Sequence, residues 1–304
     1  MLVICPNPAF DTTWSWETRD GLEWSPGYAF RASGGKGANV ARALRTLGVE
    51  VELLCLLPRG GADEYEKGLV VDGVRLRSCA HPGRIRETLR VLGEQPMSLR
   101  EPGPHLDGLA WEALCMDAAE AATGADRVVI SGSFPSGIVR AQVEGLMHAL
   151  NGHHLTLDSS APALGWGMPF ADLIAPNHKE IAAEGGGLAE AVEAACQVCA
   201  DVVITLGGAG AIRLRDGEAI WARPSGSYTA INATGAGDAF LAGLVAGDRP
   251  DWRAELAYAV AAGELAAAAP ASTGFDSSAL EDLACRISVE EIDLDALSLV
   301  GRYA

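Results

Sequence analysis

Between Asn232 and Gly247 the chain reads NATGAGDAFLAGLVAG. Gly235, Ala236 and Gly237 are small enough for successive backbone N–H groups to crowd together where the following apolar run starts a helix. Such a turn binds anions, because the first amides of a helix are unpaired and its dipole is positive at that end. Asp238 follows directly. A carboxylate placed there can take a proton from a hydroxyl while the amides hold developing negative charge. The same residues also suit an ordinary glycine-rich turn with an acid in the first turn of a helix. Taken alone, the segment leaves both readings open.

A second segment, ASGGKGANVARAL from Ala32 to Leu44, has the same character. Gly34, Gly35 and Gly37 permit a ligand to approach the backbone closely. Lys36 offers a point charge and Asn39 an amide that both donates and accepts. No Lys-Ser or Lys-Thr ends a G-x-x-x-x-G spacing, so this is not a Walker A loop. Lys36 is also one of only three lysines, with Lys67 and Lys179, among 23 basic side chains. In a third segment, VVITLGGAGAIRL, Gly207, Gly208 and Gly210 follow a strand-like run. Without the full G-x-G-x-x-G it reads as a loop passing close to a nucleotide, not as a dinucleotide fingerprint.

The formal net charge is −17 over 304 residues, which disfavours nucleic acid or an acidic membrane as partner. Two basic islands stand out against it. Arg31, Lys36, Arg42 and Arg45 occur with no acid between them, and six arginines lie between Arg75 and Pro102 against Glu87, Glu94 and Glu101. They point to a small anionic ligand, with scattered surface arginines as the alternative. No apolar run is long enough for a membrane span. The start, MLVICPNPAFD, has no basic segment and meets Asp11 too soon for a secretory signal, so a cytoplasmic protein with reduced thiols is expected. The seven cysteines are spread widely, and Cys196 with Cys199 form a CxxC within an alanine-rich run that reads as helix-face packing.

These residues need a frame. Strand-like runs at Leu2–Cys5, Val51–Leu57, Val128–Ser131, Leu155–Asp158, Leu173–Ala175 and Val202–Leu206 alternate with helical patterns. The helices are expected at Ala38–Leu47, Leu109–Thr123, Ala141–Leu150, Leu188–Ala200, Ala239–Ala246 and Arg253–Ala268. This alternation predicts an α/β protein with a parallel or mixed sheet covered by helices on both faces, binding ligands beyond the carboxyl ends of its strands. Residues 12–32, with Trp14, Trp16, Trp24, Tyr28 and Phe30, and residues 75–100 break the rhythm and lack a helical period. They are expected to form a small β lid within a single domain spanning 1–304.

GGKGAN near residue 35, SGSFPSG at 131–137, LDSS at 157–160, PNHKE at 176–180, TLGGAGA at 205–211 and ATGAGDAF at 233–240 occur in the order seen in ribokinase-like (PfkB) carbohydrate kinases. The chain resembles that family over nearly its whole length. NPAFD at the start, RET at 86–88, GEQ at 93–95 and EPGP at 101–104 resemble the phosphofructokinase and tagatose-6-phosphate kinase branch.

The resemblance implies a three-layer αβα ribokinase-like core with a small β-sheet lid and ATP-dependent phosphorylation of a sugar hydroxyl. It implies Asp238 as the base and Gly235, Ala236 and Gly237 as the anion hole. Asp11, Gly35 and Asn39 would hold sugar hydroxyls, and Lys36 and Arg86 the sugar's own phosphate. Asn177, Thr205, Gly207 and Gly210 would line the ATP side, with Glu180 helping to organise Mg²⁺. A homodimer through the lid is implied as well. Ala175 stands where lysine commonly precedes Pro-Asn, Thr88 where the branch often has Asn, and Arg100 where Asn would precede Glu-Pro-Gly-Pro. Two other readings remain: a kinase for a neutral sugar or nucleoside, and a non-catalytic sugar- or nucleotide-binding protein of the same fold.

Overall fold

Alternate residues of the central strands face opposite ways, and each side meets its own set of helices. In β1 (Leu2–Cys5), Val3 and Cys5 enter one buried cluster while Leu2 and Ile4 enter the other. The period of two along a strand accounts for this split. The structure, a computed structural model, describes residues 1–19, 23–92, 97–106, 108–185, 187–247, 249–269 and 274–293, with side chains described outside 15–28 and 92.

After β1 come β2 (Ala9–Arg19), β3 (Glu23–Gly34), α1 (Lys36–Thr46), β4 (Glu52–Gly60), α2 (Ala62–Val71), β5 (Arg75–Arg84), β6 (Arg86–Leu92) and β7 (Met97–Arg100). The middle holds α3 (Gly108–Ala122), β8 (Arg127–Ser131), α4 (Arg140–Ala149), β9 (His154–Asp158), α5 (Ala163–Gly167), β10 (Leu173–Ile174), α6 (His178–Ala182) and α7 (Leu188–Cys196). The chain then forms β11 (Asp201–Thr205), β12 (Ala211–Arg215), β13 (Glu218–Arg223), α8 (Ala236–Val245), α9 (Trp252–Ala268), α10 (Leu280–Ala284) and β14 (Ser288–Glu291).

The large sheet runs β14-β13-β12-β11-β10-β9-β8-β1-β4-β5, parallel from β5 to β11 and antiparallel beyond. Helices α1, α8 and α9 bury their apolar residues on one face, and α3, α4 and α7 on the other. This is the three-layer αβα core with a separate four-stranded lid, β3-β2-β6-β7.

One expectation needs correction. The segment 75–100 does not belong wholly to the lid: Arg75–Arg84 pairs in parallel with β4, from Glu52↔Arg75 to Leu57↔Ala80, and forms the outer strand of the large sheet. Its alternating pattern marks a strand, but alternation says nothing about which sheet supplies the hydrogen bonds. Cys79 packs with Leu54 and Leu56, and Arg75 and Arg77 pair with Glu52 at 3.4 and 3.1 Å.

Candidate active site

Two helices begin at the same place. Gly35 stands before α1 with φ 95°, and Gly235 before α8 with φ 81°, a left-handed conformation that costs glycine little. Their packing brings residues far apart in sequence into contact. Asn39 Nδ2, in the second turn of α1, donates to Asp238 Oδ2 in the first turn of α8 over 3.0 Å, and it lies 3.5 Å from Asp11 Oδ2. Buried Arg42 donates through Nη1 to Asn39 Oδ1 at 3.3 Å. That contact turns the amide so that its NH₂ group faces the carboxylates.

Asp11, on lid strand β2, also accepts from Gly35 N at 3.2 Å and closely from Thr88 Oγ1 on β6. A side chain at Gly34 would overlap the Asp11 carboxylate. The glycines of β3 and α1 therefore admit this acid as well as any ligand.

Asp238 is 9% exposed. Burial pushes its pKa up to about 7, with Asp158 and Asp11 adding to the rise, while Lys36 and the Asn39 hydrogen bond oppose it. A carboxyl group poised near neutrality suits general-base work. No side chain caps α8, and the N–H groups of Gly237 and Asp238 have no protein acceptor among the described residues. Nothing lies within 4 Å of where a Cβ would stand on Gly237, and the neighbouring Thr234 Oγ1 is buried with no hydrogen-bond partner. Unpaired donors beside open space fit an anionic group.

Lys36 Nζ donates to Glu180 Oε1 at 2.7 Å and to Asp158 Oδ1 at 3.1 Å. Burial opposes its charge, but Asp158 and Glu180, helped by Asp238, outweigh that and hold its pKa above the usual lysine value. Asp158 Oδ2 accepts from Ser131 Oγ at 2.9 Å. Lys36 thus sits between carboxylates on the side away from the lid. Arg86 donates through Nε and Nη2 to the Asn7 carbonyl at 3.2 and 3.0 Å, and through Nη1 to the Glu101 carbonyl at 3.1 Å. Its fork ties backbone segments together.

Asn177 and Thr205 meet in a parallel bridge, and Thr205 N donates to the Pro176 carbonyl at 3.1 Å. Asn177 caps α6, accepting from Lys179 N and Glu180 N, while Glu180 Oε2 accepts from Asn177 N at 3.0 Å. This is a capping box, so Glu180 combines that bland role with the Lys36 contact. Gly207 faces open space. Gly210 does not: a Cβ there would overlap the Ala222 carbonyl oxygen, so packing against β13 accounts for this glycine.

The family model for pfkB family carbohydrate kinases matches residues 28–280. The chain belongs to that family. It is a carbohydrate kinase, a phosphotransferase, and PfkB kinases use ATP. The chain is 33% identical over 230 residues to a 1-phosphofructokinase of Rhodobacter capsulatus, covering 70% of this chain and 72% of that one. It is 27% identical over 283 residues to a 1-phosphofructokinase of Vibrio cholerae, covering 88% and 89%. Phosphofructokinase-2 from Escherichia coli in complex with potassium superposes with a TM-score of 0.81 at 21% identity, covering 94% of this kinase and 98% of that chain. At that identity the likeness bears on the fold.

Three contributors to this kinase's site were not singled out from sequence. Asp158 ends a buried strand at its carboxyl edge, where an α/β sheet presents ligand-facing groups, and that position was its available signal. Thr88 was noted only as a departure from Asn, although it shares a row of the lid with Asp11. Arg42 was one more cation of a basic island, and its pairing with Asp72 and Asn39 has no sequence signature.

Among the described residues no helix is long and apolar enough to cross a membrane. All seven cysteines are free.

Proposed function

We propose that this kinase transfers the γ-phosphoryl group of ATP to a hydroxyl of a phosphorylated ketohexose, with Asp238 as the base. The observation that carries the reading is Asp238 itself: a buried carboxylate with a pKa near 7, held by Asn39 at the amino end of a helix where the Gly237 and Asp238 amides have no acceptor among the described residues. The relatives named 1-phosphofructokinase support fructose 1-phosphate as the first substrate to test.

In this reading Asp11 and Asn39 orient the sugar so that one hydroxyl faces Asp238 Oδ1 or Oδ2. Asp238 takes the hydroxyl proton as the sugar oxygen bonds to the γ-phosphorus and the bond from that phosphorus to the β-phosphate oxygen breaks. The amides of Gly235 and Gly237 hold the negative charge of the moving group, the Ala236 amide joining them only by giving up its 3.3 Å hydrogen bond to the Ala233 carbonyl, and Lys36 supports that charge as well. Catalysis of this kind is chiefly positioning and charge neutralisation.

Mg²⁺ is commonly held by one or two carboxylates together with nucleotide phosphates. Asp158 and Glu180 offer that number, and among the described residues no set of three His, Cys, Asp or Glu could cage a metal by itself. Bound there, Mg²⁺ would offset phosphate charge. Asn177, Thr205 and Gly207 would border the nucleotide.

The test is a coupled ADP-release assay with Mg-ATP over fructose 1-phosphate, fructose 6-phosphate, tagatose 6-phosphate, free hexoses and nucleosides, run beside Asp238→Asn. Turnover of a phosphosugar that the variant loses by about 10²–10⁴-fold supports the proposal. Equal turnover by the variant removes Asp238 as base, and turnover of neutral acceptors alone removes the phosphosugar.

The proposal includes a homodimer formed through the lid. Met97 and Leu99 on β7 expose 50% and 54% of their surface, and apolar side chains on a thin sheet favour a covering partner. The side chains of Trp16, Trp24 and Tyr28 lie outside those described.

A further inference from the structure

Cys5 and Cys55 are direct partners in the large sheet. Cys5 ends β1, Cys55 lies within β4, and the two strands pair in parallel with these residues in register. Their side chains leave the same face and enter the buried cluster that α1 covers. Neighbouring strands run about 4.8 Å apart, inside the range of about 4.4–6.8 Å between Cα atoms that a disulfide spans.

Both sulfurs hold the turn that starts α1. Cys5 accepts from Cys55 and from the backbone N–H groups of Gly37 and Ala38. Those amides belong to the first turn of α1, whose N-cap position, Gly35, offers no side chain. The Cys5 sulfur thus takes the place of a cap. Cys55 also contacts Tyr65, whose hydroxyl donates to the Gly34 carbonyl at 2.6 Å. The hydrogen bond from Cys55, the Arg86 charge and the two amides draw the Cys5 thiol below its usual value, with burial opposing; burial and the bond to Cys5 push Cys55 up. Cys5 is the sulfur suited to attack and Cys55 the one suited to resolve.

The pair lies directly behind the proposed sugar site. Gly35 N–H bonds Asp11 at 3.2 Å, and a Cβ on Gly35 would stand 3.4 Å from Cys5 Sγ. Cys5 is 1% exposed and Cys55 0%, so only a small oxidant passes. We propose that Cys5 and Cys55 form a reversible disulfide that turns the kinase down, with hydrogen peroxide as the oxidant. The Cys5 thiolate attacks a peroxide oxygen: the S–O bond forms, the O–O bond breaks, and the departing hydroxide takes the Cys55 proton and leaves as water. The Cys55 thiolate then attacks the Cys5 sulfur. The S–S bond forms, the S–O bond breaks, and the second hydroxide takes up the proton that Cys5 released on ionising. The pair is oxidised by two electrons and one peroxide is reduced to two waters. A disulfide sulfur is a poor acceptor, so the Gly37 and Ala38 amides lose their buried partner and the first turn of α1 loosens. Asn39, which follows, holds Asp238, and the loss reaches the proposed base.

The test uses wild type and a Cys196→Ser/Cys285→Ser background, which removes the exposed thiols, with Cys5→Ser and Cys55→Ser added singly. Each protein is treated with hydrogen peroxide, then assayed for ADP release on the accepted sugar and mapped by peptide mass spectrometry, before and after dithiothreitol. The background protein should lose about tenfold or more in kcat/KM, the scale of buried amides left unpaired. It should carry a linked Cys5–Cys55 peptide in proportion to that loss and recover both ways with dithiothreitol. Cys5→Ser, whose hydroxyl can cap the same amides, should stay within about threefold of the background and resist peroxide. Cys55→Ser should stop at a Cys5 sulfenic acid that dimedone traps. The linked peptide is read in wild type whatever the variants do. Activity lost without that peptide, or lost equally by Cys5→Ser, would overturn the proposal, as would a linked protein of unchanged activity or a pair left reduced by prolonged peroxide. Which sugar is phosphorylated is decided by turnover before any oxidant is added, so the two readings fail separately.

Discussion

Asn39 Nδ2 and Asp238 Oδ2 lie 3.0 Å apart, joining the second turn of α1 to the first turn of α8. Their separation of 199 residues closes only when the two helices pack on the same face of the sheet. This one contact sets both the aim and the acidity of the proposed base. The Arg42 guanidinium behind it keeps the amide from turning away.

The pH dependence follows from Asp238. In the free kinase kcat/KM should rise with pH and level off above an apparent pKa near 7, because the base must be ionised to accept a proton. A pH–rate profile on the accepted sugar checks this. A limb centred near pH 4 would mean that another group takes the proton.

Stability should respond to the same group with the opposite sign. A carboxyl whose pKa is about 7 folded and near 3.8 unfolded binds more protons in the folded state between those values. Folding stability is then lost as pH rises from about 4 through 7. Asp238→Asn should therefore raise the Tm at pH 8, with a gain of about 2–4 kcal/mol at roughly 1.4 kcal/mol per pKa unit, and change it little at pH 4. Paired thermal melts decide the matter.

Asn39→Ala removes a hydrogen bond that lowers the Asp238 pKa. The acidic limb of the pH–rate profile should move upward, by about one unit for a bond worth about 1.5 kcal/mol. An unshifted limb with reduced kcat would assign Asn39 to the sugar alone.

Lys36→Met leaves Asp158 and Glu180 facing each other without their cation. The lysine side chain keeps 34% of its exposure, so the destabilisation should be about 1–3 kcal/mol, below the 3–5 of a fully buried pair. The ATP KM should rise while the phosphosugar KM stays within about threefold. Urea unfolding and initial-rate kinetics separate the two effects.

Gly210→Ala should unfold the protein in preference to impairing nucleotide binding. Its Cβ would overlap the Ala222 carbonyl, and clashes against backbone cost about 3 kcal/mol or more. Any folded fraction should keep an ATP KM close to wild type, measured after removal of aggregates.

Much of this site was legible as composition at helix starts. Gly34, Gly35 and Gly235 mark places where the backbone must bend or come close, and the polar residues beside them, Asn39 and Asp238, meet in the structure. What stayed hidden depends on partners distant in the chain. Asp158 reaches Lys36 across 122 residues, and nothing near either residue announces the pair. Gly210 belongs to a glycine-rich loop by pattern, yet the atom that demands it is a carbonyl of the next hairpin strand. The strand at Arg75–Arg84 shows the same limit: its alternation marks a strand, while the open edge of β4 decides its sheet.

The chain passes between lid and core along a single row, and Arg31 of β3 braces the lid on α2 through Glu64. Ala9 faces Gly34 on one side and Arg86 on the other, and Arg100 leaves its strand opposite Thr88. Every described chain crossing between lid and core falls at this end of the four strands, so a tilt of the lid would turn about the row that holds Arg86 and would have to strain the Arg31–Glu64 pair. Lever arms follow from the rise of about 3.3 Å per residue along a strand. Asp11 stands about 7 Å from that axis and Arg90 about 13 Å. A tilt of 10° moves the first by roughly 1 Å and the second by roughly 2 Å. Through such a swing the proposed contact of Asp11 with a sugar shifts about half as far as the outer lid does.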